Sequence, residues 1–194
     1  MNIFDNKNIA GWTSIASALV TIPVIVISMY SGYTEGINGE KNSIITTLDM
    51  TINSIYLLIF VIIFINFKNL LNSDLEITSL DLMITLVIGS NVLITSLSII
   101  SMPFQALNNI VGVISVIFLI PYGILHTVFG IKIMKLDNEL FGWRKSFSIF
   151  TIFTGISTAT VILIPLGLIT SMVSDVLLAL IFFSSIKKTN TLKE

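Results

Sequence analysis

Four side chains in this sequence could together hold a cation or pass a proton. In "TTLDMTINSIY", residues 46–56, Asp49, Asn53 and Tyr56 fall at i, i+4 and i+7, which places them on one face of an α-helix. Asp175, in "TSMVSDVLLAL", is the only charged residue between Lys145 and Lys187. Both acids sit in apolar sequence. An ionised carboxylate in the hydrocarbon of a bilayer costs about 2.5–3.5 kcal/mol on the insertion scale, and no lysine or arginine lies deep enough in either run to offset it. Such an acid is protonated, faces water or binds a cation. The sharper expectation is an outward-facing polar or ion site built from Asp49, Asn53, Tyr56 and Asp175. The plainer one leaves Asp49 in the first turns of its helix, about 8 Å along the axis from Ile44, where the helix dipole favours an acid.

Other chemistry is sparse. His126 is the single histidine and there is no cysteine, so thiolate chemistry is excluded and a metal or haem site would lack ligands. His126 is expected toward the cytoplasmic end of its helix, far from the two acids. Asp81 reads as part of a capping box, "TSLD" at 78–81, with Thr78 as the cap. Asn91 is expected to bond a neighbouring helix. No nucleophile elbow, zinc helix or phosphate-binding loop is present, and neither catalysis nor a cofactor is expected. The net charge of −1 argues against nucleic acid as a partner.

The elements that must position these residues are membrane helices. Hydrophobic residues make up 54% of the chain and charged residues 11%, too few charges to coat a globule in water. Runs such as "LLIFVIIFI" lack the period-two alternation of a membrane barrel, and a lone segment in lipid satisfies its backbone only as a helix. Six segments reach the roughly 20 residues that a span needs: approximately 9–31, 44–67, 80–101, 108–131, 144–164 and 166–186. The expected fold is all-α, a single transmembrane domain over 1–194, with six helices and short loops. Pro165-Leu166-Gly167 is the expected turn between the last two spans. The first run lacks a basic leader and is expected to remain attached as helix 1.

Nine basic residues, Lys7, Lys68, Lys132, Lys135, Arg144, Lys145, Lys187, Lys188 and Lys193, fall on one side of this threading and only Lys41 on the other. Positive residues stay cytoplasmic, which predicts a cell-membrane protein with both termini inside. Trp12 and Trp143 read as cytoplasmic interfacial anchors, and Tyr30 and Tyr33 as outer ones. Pro23 and Pro121 are expected to kink helices 1 and 4.

Helices in lipid gain from close approach of small residues. The candidates are Ser14 and Ala18 on helix 1, Thr85 and Gly89 on helix 3, and Gly123, Thr127 and Gly130 on helix 4. On helix 5, Ser148, Thr151, Gly155 and Thr158 form one stripe, read as a packing seam rather than a wet lining. The leading functional expectation is a non-enzymatic membrane protein acting by association, as an accessory, assembly or immunity-type component, alone or with other membrane subunits. The alternative is a small-solute or cation/proton transport protein, for example a transporter's substrate-binding subunit. Some vitamin importers have such components of this size and topology, although no motif extends the comparison.

Overall fold

The computed structural model describes residues 6–38 and 42–191, so Lys41 and Lys193, two of the residues that set the expected orientation, lie outside the described residues. Every regular element among the described residues is helical. In chain order they are α1 (Lys7–Asn38), α2 (Ser43–Asn69), α3 (Asp81–Ser101), α4 (Gln105–Met134), α5 (Arg144–Ala159) and α6 (Ile164–Thr191). A π-turn, Leu70–Asp74, extends α2, and a 3-10 turn, Leu140–Gly142, precedes α5. Asparagines open the first two helices. The Asn6 side chain accepts from the amides of Asn8 and Ile9, and that of Asn42 from Ile44 and Ile45, satisfying amides that have no partner within the helix. Both α1 and α4 run unbroken through Pro23 and Pro121.

Five helical stretches are long and apolar enough to cross a membrane: Lys7–Ile37, Ser43–Asp74, Asp81–Ser101, Ile110–Met134 and Ile164–Lys188. The chain thus has the makings of a multi-pass membrane protein. α5 is the exception. Its 16 residues reach about 24 Å, against a hydrocarbon core of about 30 Å.

The 144–186 region is two helices, but the break precedes the expected turn. The chain reverses at residues 160–163, where Val161 takes a left-handed φ of 59°. Pro165 is already in the first turn of α6, where its missing N–H breaks no helical bond. Gly167 is helical too, facing the Ser157 side chain. The proline marks a start, not a turn. The expected cap on α3 is also absent. No side chain caps that helix, and the Asp81 carboxylate accepts from Asn72 Nδ2 at 3.1 Å, with Lys68 Nζ 3.8 Å away.

The helices alternate in direction and close into a ring. Each packs on its neighbours in sequence, and α6 returns against α1. Antiparallel pairing shows in the Asn6 amide donating to Asn66 Oδ1 while Ser28 meets Asp49, and in Trp12 packing on Phe183 while Ser17 meets Asp175. The start of α1 and the end of α6 therefore lie at one end of the bundle. There Lys7 pairs with Asp74, and Arg144 with Glu139 and the Leu136 carbonyl. At the ring's centre Phe67 touches both Phe147 and Phe182 edge-on.

An apolar core around Phe67, Phe129 and Phe182 is joined by many buried polar side chains, while many large apolar ones face outward. Ser14, Ser17, Thr21, Asn66, Ser148, Thr151 and His126 are buried, whereas Leu19, Leu58, Leu82, Leu93, Ile117 and Ile169 are exposed. In water that distribution would be costly; in lipid it is the stable one.

Small residues hold two of the contacts. On α1, Ala10, Ser14, Ser17, Ala18 and Thr21 are all buried, and a Cβ on Gly11 would lie 2.6 Å from the Phe183 ring. Between α4 and α5 the backbones nearly touch. A Cβ on Gly123 would lie 2.6 Å from the Gly155 carbonyl, one on Gly155 2.7 Å from the Gly123 carbonyl, and one on Gly130 2.7 Å from Ile152. Thr127 packs against Gly155 in the same seam. Thr85 and Gly89 do not join it. Both are exposed on α3, and nothing lies within 4 Å of a Cβ at Gly89. Small size permits close approach but does not select which face is buried.

Candidate functional site

Asp49 and Asp175 have separate surroundings. Asp49 is buried in the seventh position of α2. Its Oδ1 accepts from Asn53 Nδ2 at 2.8 Å, one turn on, and from Ser28 Oγ of α1 at 3.0 Å. Asn53 Nδ2 also donates to the Asp49 carbonyl at 2.9 Å. The cluster is self-contained: a carboxylate with two donors, formed because i+4 spacing and the antiparallel α1 bring them together.

Asp175 borders a cavity of about 220 Å³ lined by residues of α2 to α6. Its Oδ2 accepts from Ser17 Oγ of α1 at 2.7 Å. Tyr56 lines the cavity, its hydroxyl within reach of Ser17 and Thr21. Neither Asp49 nor Asn53 is part of the lining. The four expected site residues thus divide into two pairs, Asp49 with Asn53 and Tyr56 with Asp175.

His126, on α4, borders the same cavity as Asp175, which lies well inside α6, although its ring packs on Phe64, Tyr122 and Phe129 and not on the carboxylate. Tyr122, one turn before His126, packs on its ring at 4.7 Å and accepts from Asn91 Nδ2 of α3 at 2.9 Å. Asn91 is therefore an interhelical bonding group and a cavity wall at once. Phe60, Phe64, Phe129 and Phe147 complete an aromatic box.

The decisive feature is a set of unanswered polar groups. Asn91 Oδ1, both nitrogens of His126 and Ser174 Oγ are buried without a partner, and all three residues line this cavity. Each such group costs about 1–3 kcal/mol unless something bonds it. Neutral imidazole offers one donor and one acceptor, and the serine hydroxyl offers both. Three helices therefore bring polar groups without protein partners to the walls of one space that a carboxylate also borders.

The α5 stripe behaves differently. Ser148, Thr151, Thr154 and Thr158 each donate to the carbonyl four residues back, at 2.7 to 2.9 Å. Their donors are spent within the helix, which lets so polar a segment pack in the bundle. Ser148 and Gly155 face α4, while Thr151, Thr154 and Thr158 also border the cavity. Thr154 further approaches Thr170 of α6, Oγ to Oγ, at 2.9 Å.

Of the expected anchors, Trp12, Tyr30 and Tyr33 are exposed. Trp143 Nε1 donates to Ser184 Oγ at 3.4 Å, tying α5 to α6. Among the described residues, no three His, Asp or Glu side chains come together to hold a metal ion. Sequence reasoning missed Ser17, Tyr122 and Ser174. The i, i+4 pairs Tyr122/His126 and Ser171/Asp175 were the available signal, one polar face on each of two facing helices. Comparison of the chain with protein-family models, curated protein sequences and solved structures finds no match.

Proposed function

We propose that this chain is a multi-pass protein of the cell membrane, with six spans and both termini cytoplasmic, that binds a small solute in the cavity beside Asp175 as a transporter or a transporter's binding subunit. The observation that carries this reading is that Asn91, His126 and Ser174, with Asn91 Oδ1, both imidazole nitrogens and Ser174 Oγ lacking partners, line a space bordered by a carboxylate. Small-molecule sites are mostly apolar concavities with a few convergent polar groups, and lipid supplies nothing to satisfy such groups.

The chain has no cysteine, so a single Ser174→Cys substitution gives an unambiguous label site. A neutral, water-soluble thiol reagent added to the protein in lipid nanodiscs is expected to modify Ser174→Cys and to spare Ser148→Cys, which lies in the closed α4–α5 seam. Equal inertness at both positions would remove the basis for a solute site.

A second reading, association with another membrane subunit or a second copy, is favoured by the exposed Thr85 and Gly89 on α3. Small residues facing lipid permit close helix approach. Under that reading Gly89→Leu abolishes an intermolecular crosslink and leaves Ser174→Cys labelling unchanged.

A further inference from the structure

Resting on the solute-binding reading, we infer that the cavity beside Asp175 takes a compact organic ammonium cation with an apolar body. The first ground is charge. Among the described residues Asp175 is the only charged side chain in the lining, and no lysine or arginine borders it. A carboxylate so placed is costly without a countercharge, and a bound cation supplies one where the protein does not. An anion would meet the carboxylate with no cationic group to offset it.

The second ground is the shape of the polarity. Beyond Asp175, the lining offers acceptors without donors of their own in Asn91 Oδ1 and one imidazole nitrogen of His126. An ammonium group has several N–H donors to give them, and charge-assisted hydrogen bonds are about twice as strong as neutral ones.

The third ground is the wall. Tyr56, Phe60, Phe64 and Tyr122 present aromatic rings to the same space, and ring faces attract cations, most strongly where water is excluded. A bare metal ion would instead need an oxygen-rich shell, which these rings do not provide. The volume, about 220 Å³, exceeds what an ion requires and suits a small organic body.

The test compares three probes of nearly equal shape on the full-length protein in nanodiscs at neutral pH: phenethylammonium, 2-phenylethanol and phenylacetate. Binding is followed by the shift of the thermal unfolding midpoint over millimolar titrations. Phenethylammonium is expected to bind about tenfold or more tighter than 2-phenylethanol, and phenylacetate to give no shift. Asp175→Asn is expected to bring cation and alcohol to within about threefold of each other, while Asp49→Asn keeps the full preference. The wild-type comparison alone decides the point if Asp175→Asn fails to fold.

Equal binding of cation and alcohol, a preference for phenylacetate, or a preference that survives Asp175→Asn overturns the cation inference. So does the absence of any shift. Labelling of Ser174→Cys separates the two failures. If it is labelled, the solute-binding reading stands without the cation; if it is inert, both fall.

Discussion

Asp49 and Asp175 are the same residue in the same kind of apolar sequence, and the fold treats them oppositely. Asp49 has two side-chain donors, from its own helix and from α1, and does not border the cavity. Asp175 has one, from Ser17, and borders a cavity whose other polar groups lack partners. A carboxylate held by donors from its own helix and the next is a structural member of the bundle. One whose surroundings are left incomplete is where binding can occur. The acid alone does not distinguish these cases; the state of its neighbours does.

The most damaging way to break the comparison is to part the helices that form the cavity wall. Gly123→Val or Gly155→Leu pushes a side chain into facing backbone. Overpacking costs about 1–3 kcal/mol and sometimes more. Both variants should lower the unfolding midpoint strongly and abolish binding of phenethylammonium and 2-phenylethanol, as read in a detergent thermal melt. Unchanged stability would mean that α4 and α5 are not in backbone contact.

Two matched substitutions sharpen the contrast. Asp49→Leu leaves Ser28 Oγ without this acceptor and Asn53 Nδ2 with only a main-chain one. Interhelical hydrogen bonds in membranes contribute about 0.6 kcal/mol on average and up to about 1.7, so a destabilisation near 1 kcal/mol is expected, with the cation preference intact. Asp175→Leu should be neutral or stabilising, because it removes a costly carboxylate and adds apolar volume to an open space, while the cation preference disappears. Equilibrium unfolding in mixed micelles gives both signs. Equal destabilisation by the two would erase the proposed difference between the acids.

The smallest effect is expected on α3. Gly89→Leu adds a side chain to an exposed face, and its effect on the isolated chain should stay within about 0.5 kcal/mol. A larger loss in the isolated chain would mean that this face packs against another helix of the same chain.

Much of the fold was legible. Long apolar runs between charged loops gave α1 to α4 and α6, because lipid demands both the length and the composition. The turn at residues 160–163 was not, since it has no glycine or proline; Pro165 seemed to mark the turn but in fact opens the next helix. Seams at Ser14, Ala18, Gly123, Thr127, Gly130 and Gly155 followed from residue size, whereas Thr85 and Gly89 show that size does not say which face meets another helix.

The site was half visible. Asp49 and Asn53 pair as i+4 spacing requires. That Tyr56 and Asp175 would join Asn91, Tyr122, His126 and Ser174 depended on the rotation of four helices about their axes, and the six-helix ring sets that rotation only through contacts distant in sequence.

If the space beside Asp175 holds a polar occupant, a density map of the protein in nanodiscs, at a resolution that shows ordered water, will record it. Discrete density within hydrogen-bonding distance of Asn91 Oδ1, His126 and Ser174 Oγ is the result expected. A collapsed cavity, with those atoms bonded to one another and nothing between them, would contradict it.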